Sequence, residues 1–343
     1  MEGIKLLSLF ISNLKAIGKR EKIKILKLIS DSLDVKSITV DDIPFIVKSF
    51  FALNKKAIAD NIAQSVSIAE DCFHKKIEII SILDSSYPSL LKEIYDPPVV
   101  LYVKGLAERA SSAGGSGCAE KLSLPSISIV GTRAATGRAL RAAFETAFYL
   151  SLNNITVVSG LAIGIDNEAH KGSISAKGTT VAVMGCGLDK IYPVSNRKTA
   201  FEIIECGGIL VSEYQPGVQP LRYHFPERNR IISGLSSASI IVQAPKKSGA
   251  LITADYALEH GRDVFVHEAG LCPHFGDGGM DLVSEGALLL SNSSDIGKYY
   301  GFDFTDNFIN NKIICNDIKN IEDEINGYVV NYKGVLYRRA KYA

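Results

Sequence analysis

The chain has 343 residues, 46% of them hydrophobic and 22% charged, values of a globular protein that exclude wholesale disorder. Its formal net charge is only +1, so any nucleic-acid surface has to be a local patch and not a property of the whole molecule. Six scattered cysteines without a C-x-x-C pair argue for reduced thiols in a cytoplasmic protein and against a disulfide framework.

From Met1 to about Lys75 the pattern is helical, with Leu6, Leu9, Phe10 and then Ile25, Leu28, Ile29 recurring at three- and four-residue spacing. Apolar Ile4–Ile11 runs into a basic segment with no small-residue cleavage site, so no signal peptide is expected, and no uncharged run reaches membrane-spanning length. The basic run KREKIKILK (19–27) reads as the solvated face of an amphipathic helix. Asp41-Asp42-Ile43-Pro44 reads as a helix start. Residues 1–75 are therefore expected to form an N-terminal helical domain.

Between Ile77 and Gly105 short β-like runs take over, KIEIISI and VVLYVKG, separated by proline-bearing turns. A small, polar, glycine-rich stretch follows, read as a flexible insertion over 107–124. The core begins at Ile127: SISIVG, TVVSG, TVAVMG, ILVSE, ASIIVQA and DVFVH are six short apolar runs, most of them joined by helix-length segments. Near-continuous apolar strands alternating with helices indicate a parallel sheet buried on both faces. The fold expected over 76–296 is an α/β, Rossmann-like, doubly wound and mostly parallel sheet, with ligands at the carboxyl ends of its strands. Residues 297–343 are polar, then suggest a short helix and a hairpin turning near Lys333-Gly334.

Three turns in this core carry phosphate-binding chemistry. Gly131-Thr132-Arg133 follows the first core strand, where amides, a hydroxyl and a guanidinium can hold a phosphate. It is not the dinucleotide fingerprint, because Arg133 stands where the second glycine is required. In FPERNRIISGL, Pro226 is expected at the first helical position, which puts Arg228, Asn229 and Arg230 in the first turn. Arg228 and Arg230 are two apart and point to different sides, so one is expected to reach a ligand and the other to anchor the sheet edge by a salt bridge. Lys246-Lys247-Ser248-Gly249 follows the fifth strand, with Thr253 a turn into the next helix. Cations at a helix start oppose its dipole, an arrangement that a bound anion stabilises.

Other polar residues read as structural. Asp166 is placed as an N-cap, His170 as a buried hydrogen-bond partner, and Cys186 between two glycines as an inert residue of a tight turn. There is no G-x-x-x-x-G-K-[ST] loop, no H-E-x-x-H and no G-x-S-x-G. No catalytic residue, cofactor or metal site is expected.

The ordered segments YPSLLKEIYDPPVVLYVKG, IVGTR, VVSGLAIGIDNEAHKG, TVAVMGCGLDKIYPVSN, GGILVSEY, FPERNRIISGLS and SGALITADYALEHGRDVFV resemble the DprA/Smf family of bacterial DNA-processing proteins, over roughly Ile77–Leu290. The resemblance implies a non-enzymatic protein that binds and protects single-stranded DNA, dimerises, and loads the recombinase RecA in recombination and natural transformation. Carried over by position, its DNA site would use Gly131, Thr132, Arg133, Ser159, Gly160, Arg228, Asn229, Arg230, Lys247, Ser248, Gly249 and Thr253, with Phe225 or Tyr223 as candidates for stacking on a base. The chain departs from the family at Val266-His267-Glu268-Ala269-Gly270, where a Val-Pro-Gly turn is usual, and in GDGGMDLVSEGA, which matches in part. Its tail is too short for the winged-helix domain found in many members and resembles only the terminal wing. The rival reading is a lysine-decarboxylase-like nucleoside-monophosphate phosphoribohydrolase. Its P-G-G-x-G-T-x-x-E turn would fall on Lys247–Asp255, which lacks the double glycine and the glutamate.

Overall fold

The computed structural model describes residues 3–34, 37–51, 53–106 and 118–300, and the backbone of 312–313, 329–332 and 335–338. Four helices open the chain: α1 (Gly3–Asn13), α2 (Lys19–Ser32), α3 (Ile43–Phe50) and α4 (Lys55–His74). Leu6, Leu7, Leu9, Phe10 and Ile11 of α1 are all fully buried. This helix is therefore enclosed on every side, and the Ser8 and Ser81 hydroxyls, 2.7 Å apart, tie it to the first strand of the sheet.

The remaining elements are β1 (Glu78–Ser81), α5 (Ser89–Lys92), β2 (Val100–Lys104), α6 (Cys118–Lys121), β3 (Ser126–Val130), α7 (Gly137–Leu152), β4 (Thr156–Ser159), α8 (Ile165–Ser175), β5 (Thr180–Met184), α9 (Arg197–Glu205), β6 (Ile209–Ser212), α10 (His224–Gly234), β7 (Ala238–Ile241), α11 (Gly249–Glu259), β8 (Asp263–His267), α12 (Asp277–Ser284), β9 (Leu288–Leu290) and α13 (Asp295–Tyr300). All six expected core strands are present, as β3 to β8. Nine strands form one sheet in the order β1-β2-β6-β5-β4-β3-β7-β8-β9. The pairs β1/β2 and β2/β6 are antiparallel and every other pair is parallel.

Both faces of this sheet are covered. Ile127 and Ile129 of β3 and Ala238 and Ile240 of β7 join one apolar cluster with α7, α8 and Ile296 of α13. Their neighbours Val130 and Ile241 face the opposite cluster, with Ile231 and Ile232 of α10 and Ala250 and Ala254 of α11. The alternation is that of strands sandwiched between two helical layers.

The chain order reverses between β3 and β7. The path runs outward from β3 through β4, β5 and β6, then returns by α10 to lay β7 on the other side of β3. Such a reversal opens a crevice, because the two flanking loops leave the sheet to opposite faces. Val130 pairs with Ile241, and Thr132 N donates to Gln243 O at 2.8 Å, so the segments after β3 and β7 emerge side by side.

Of the expected insertion, residues 118–121 form α6, Ala119 and Leu122 are buried, and 107–117 lie outside the described residues. In the tail, β11 (Val329–Tyr332) pairs antiparallel with β12 (Val335–Arg338), and β10 (Lys312–Ile313) pairs with β12. The turn at Lys333-Gly334 and the expected short helix before it lie outside the described residues.

Candidate nucleic-acid interface

A cleft of about 690 Å3 sits over the reversal point. Its lining gathers Gly131, Thr132 and Arg133 from the turn after β3, Phe225, Arg228 and Asn229 from α10, and Lys247, Ser248, Gly249 and Thr253 from the start of α11. Three segments remote in sequence thus converge, as the carboxyl-end rule for such sheets requires. Arg222, Tyr192, Asp166 and Ala162 are also part of the wall.

The cations occupy two depths. Arg133, Arg222 and Lys247 are exposed at the mouth, and among the described residues none of them is ion-paired. Lys246 is different: it turns away to Asp281, 3.2 Å distant. Arg228 forms the floor and is only 4% exposed. Its Nη1 donates to the carbonyls of Gly160, at 2.7 Å, and of Val183. Those oxygens belong to the carboxyl ends of β4 and β5, so strand ends hold the guanidinium in place. Its Nε is buried and finds no hydrogen-bond partner among the described residues. Burial draws the Arg228 pKa down to about 10, while nearby Asp166 works in the other direction.

Asp166 is not the N-cap of α8. It is the second residue of the helix, and Gly164 takes the cap position with φ +89°. The buried carboxylate accepts from Gly160 N at 3.2 Å and Ala162 N at 3.4 Å. Burial pushes its pKa up, with Arg228 and these amides opposing. Asp166 therefore shapes the loop that carries Gly160 and counterbalances the buried arginine.

Helix α10 begins at His224, two residues before the expected start, with no side-chain cap. Pro226 is its third residue, where an amide hydrogen would have no acceptor in the helix in any case. Arg228 and Arg230 accordingly lie beyond the first turn, and they part company. Arg230 does not line the cleft. It is 2% exposed and pairs with Glu213, at the end of β6, and through Nε with Asp96 at 3.1 Å. Ser159 is also absent from the lining; its hydroxyl is buried and donates to Ile129 O at 2.6 Å. Gly160 lies beneath the guanidinium of Arg228, and a Cβ there would come within 2.4 Å of Nη1.

The other expected residues serve both wall and frame. A Cβ on Gly131 would meet Ile165 Cγ1 at 2.5 Å, so the close approach this glycine permits is to α8. Asn229 Nδ2 donates to Gly249 O at 3.1 Å, binding α10 to the start of α11. Ser248 caps α11, its hydroxyl accepting from Ala250 N. Half-buried Phe225 packs near Gly185 and lies 5.3 Å from the Tyr192 ring at 42°. Tyr223 is exposed, edge-on to His224, and is not part of the wall.

His170 and Cys186 are both buried. His170 is fully buried, with Nδ1 2.8 Å from Thr180 Oγ1 and its pKa lowered by burial to about 3. The Cys186 thiol is buried and its pKa raised to about 11, again chiefly by burial.

The family profile of DNA recombination-mediator protein A matches residues 78–301. The chain belongs to the DprA/Smf family. It is 34% identical over 322 residues to the Smf protein of Borreliella burgdorferi, an alignment covering 93% of this chain and 96% of that one. Among solved structures, the DNA processing protein A of Streptococcus pneumoniae superposes with a TM-score of 0.69 at 32% identity, over 88% of this chain and 99% of the other. The DNA processing protein A of Helicobacter pylori, solved in a study of its single-stranded DNA binding mode, gives 0.56 at 27% identity over 65% and 95%.

Proposed function

We propose that the cleft holds the phosphates of single-stranded DNA and that the protein protects the strand and passes it to RecA recombinase. The observation that carries this reading is the two-level set of cations: exposed Arg133, Arg222 and Lys247, not ion-paired among the described residues, around a fixed, buried Arg228. Guanidinium, ammonium and helix-start amides grip phosphate without reading sequence. The preference for a single strand rests on Phe225 and Tyr192 at the wall, because aromatic rings can stack only on bases that are free of a duplex. The RecA step is inherited from family membership.

Binding without catalysis is the reading the lining favours. Its carboxylate, Asp166, is engaged by backbone amides, whereas Asp255, on the turn where the hydrolases carry their glutamate, is exposed on α11 and away from the lining. A dimer is part of the proposal. Leu289 of the edge strand β9 and Met280 of α12, the helix before it, are large exposed apolar side chains, and such patches mark contact surfaces. The free cysteines suit a reducing cytoplasm.

The test is a titration of single-stranded and duplex oligonucleotides across a salt series, with Arg133→Ala and Lys247→Ala alongside. Tighter binding of the single strand, weakened in both variants, is expected. Equal affinity for both forms, or no loss in either variant, overturns the site; free base released from a nucleoside monophosphate revives hydrolysis.

A further inference from the structure

A second concavity, of about 440 Å3, adjoins the first, and Tyr192 lines both. One wall is the turn after β5 together with α9; the other is Lys104 of β2 and the Gln219-Pro220 stretch. Beyond Tyr192, this groove shares no residue with the phosphate cleft.

Its chemistry is mixed in a particular way. Tyr192 is 41% exposed, Val194 73% and Phe201 48%. Packing of the described fold leaves these large apolar side chains uncovered. The Arg197 guanidinium lies over the Phe201 ring, 5.4 Å from its centre, and Lys104 and Lys190 add two further cations. The acid in the lining, Asp189, is already engaged, accepting from Gly217 N at 2.8 Å and lying 3.9 Å from Lys75 Nζ. The open face thus presents aromatic rings flanked by positive charge.

We infer that this groove carries the next nucleotides of the same single strand, a conclusion that rests on the phosphate cleft being a DNA site. Aromatic faces beside cations are the surface on which unpaired bases stack while their phosphates are neutralised, irrespective of sequence. Continuity supplies the path. Phe225 and Tyr192 are tilted neighbours at the cleft wall, and Tyr192 then forms part of the groove with Phe201. A strand leaving the cleft over Tyr192 meets Phe201 and Arg197 next. The assignment makes Tyr192 a shared contact, Phe201 a stacking platform and Arg197 a phosphate contact that also braces the Phe201 ring.

The experiment compares a short oligothymidine, long enough only for the cleft, with a longer one, in the full chain and in its Phe201→Ala, Arg197→Ala and Arg133→Ala variants. Phe201→Ala and Arg197→Ala are expected to weaken the longer ligand roughly ten-fold each and to leave the short one unchanged, whereas Arg133→Ala weakens both. Residues 197 and 201 are exposed, so neither change removes core packing. As an independent readout, 2-aminopurine placed just outside the cleft-filling segment should be quenched on binding, and the quenching should be lost in Phe201→Ala. Binding of the longer ligand at parental affinity by both groove variants overturns the groove, and it leaves the cleft standing where Arg133→Ala still weakens both lengths. An Arg133→Ala variant with unchanged affinity for both lengths overturns the cleft and the groove together.

Discussion

Replacing Arg230 by alanine would strip a buried carboxylate of its main partner. Glu213 is only 10% exposed, its Oε1 already has no hydrogen-bond partner among the described residues, and Arg230 engages the other oxygen. Removing one member of such a pair typically costs about 3–5 kcal/mol, because the remaining charge stays desolvated. Two features place this site at the lower end of that range. Asp96 is 28% exposed and can be rehydrated, and Lys19 Nζ remains 3.7 Å from Glu213. Urea denaturation should therefore report a loss of about 3 kcal/mol at unchanged slope, and Arg230→Ala/Glu213→Ala should be more stable than Arg230→Ala alone. Arg133→Ala, at an exposed position with no ion pair among the described residues, should instead leave the midpoint in place and lower affinity for single-stranded DNA about ten-fold or more. The reasoning fails if Arg230→Ala unfolds at the parental urea concentration while losing as much DNA binding as Arg133→Ala, for then Arg230 would be a ligand contact and not part of the frame.

Gly160→Ala would drive a Cβ into a guanidinium already held by two carbonyls; a loss of about 1–3 kcal/mol with weakened DNA binding is expected, and parental values in both assays would show that Arg228 is not fixed. If Arg133, Arg222 and Lys247 each neutralise one phosphate of a single strand, log K should fall with log salt with a slope of about −2, and Lys247→Ala should make it shallower by about 0.7; an unchanged slope removes Lys247 from the interface. The folded-state pKa of His170, about 3, lies below the ordinary imidazole value of 6.5. Its contribution to stability is therefore complete above that value and is lost as the pH falls toward 3, reaching about 2 kcal/mol of loss at pH 5. Thermal melts from pH 7 to pH 5 should show the decline and His170→Gln should make it shallower, with His260 and His267, both lowered by burial to about 4, keeping part of it; an identical decline in the variant would assign the effect elsewhere.

Legibility in the sequence followed the range of the interaction concerned. The six core strands could be read because a strand buried on both faces is predominantly apolar, and β3 to β8 are buried at every residue but Asp263. β9 escaped because it is three residues long at the sheet edge, with Leu289 47% exposed. The start of α10 was misplaced because His224 has no side-chain cap before it, leaving Pro226 as the only local cue. That Arg228 and Arg230 face apart follows from helical geometry alone. Which of them faces the ligand does not. That choice depends on Glu213 at the end of β6 and Asp96 before β2 meeting at one side of α10, and on the carbonyl ends of β4 and β5 lying under the other. Strand order decides both, and strand order is not written in any one segment. The same reasoning accounts for Asp166: its position early in α8 suggested a cap, but only the neighbouring Arg228 makes a buried carboxylate there a counter-charge. The proposed phosphate site thus announces its exposed cations in the local sequence, while the buried cation on its floor emerges only from the assembled sheet.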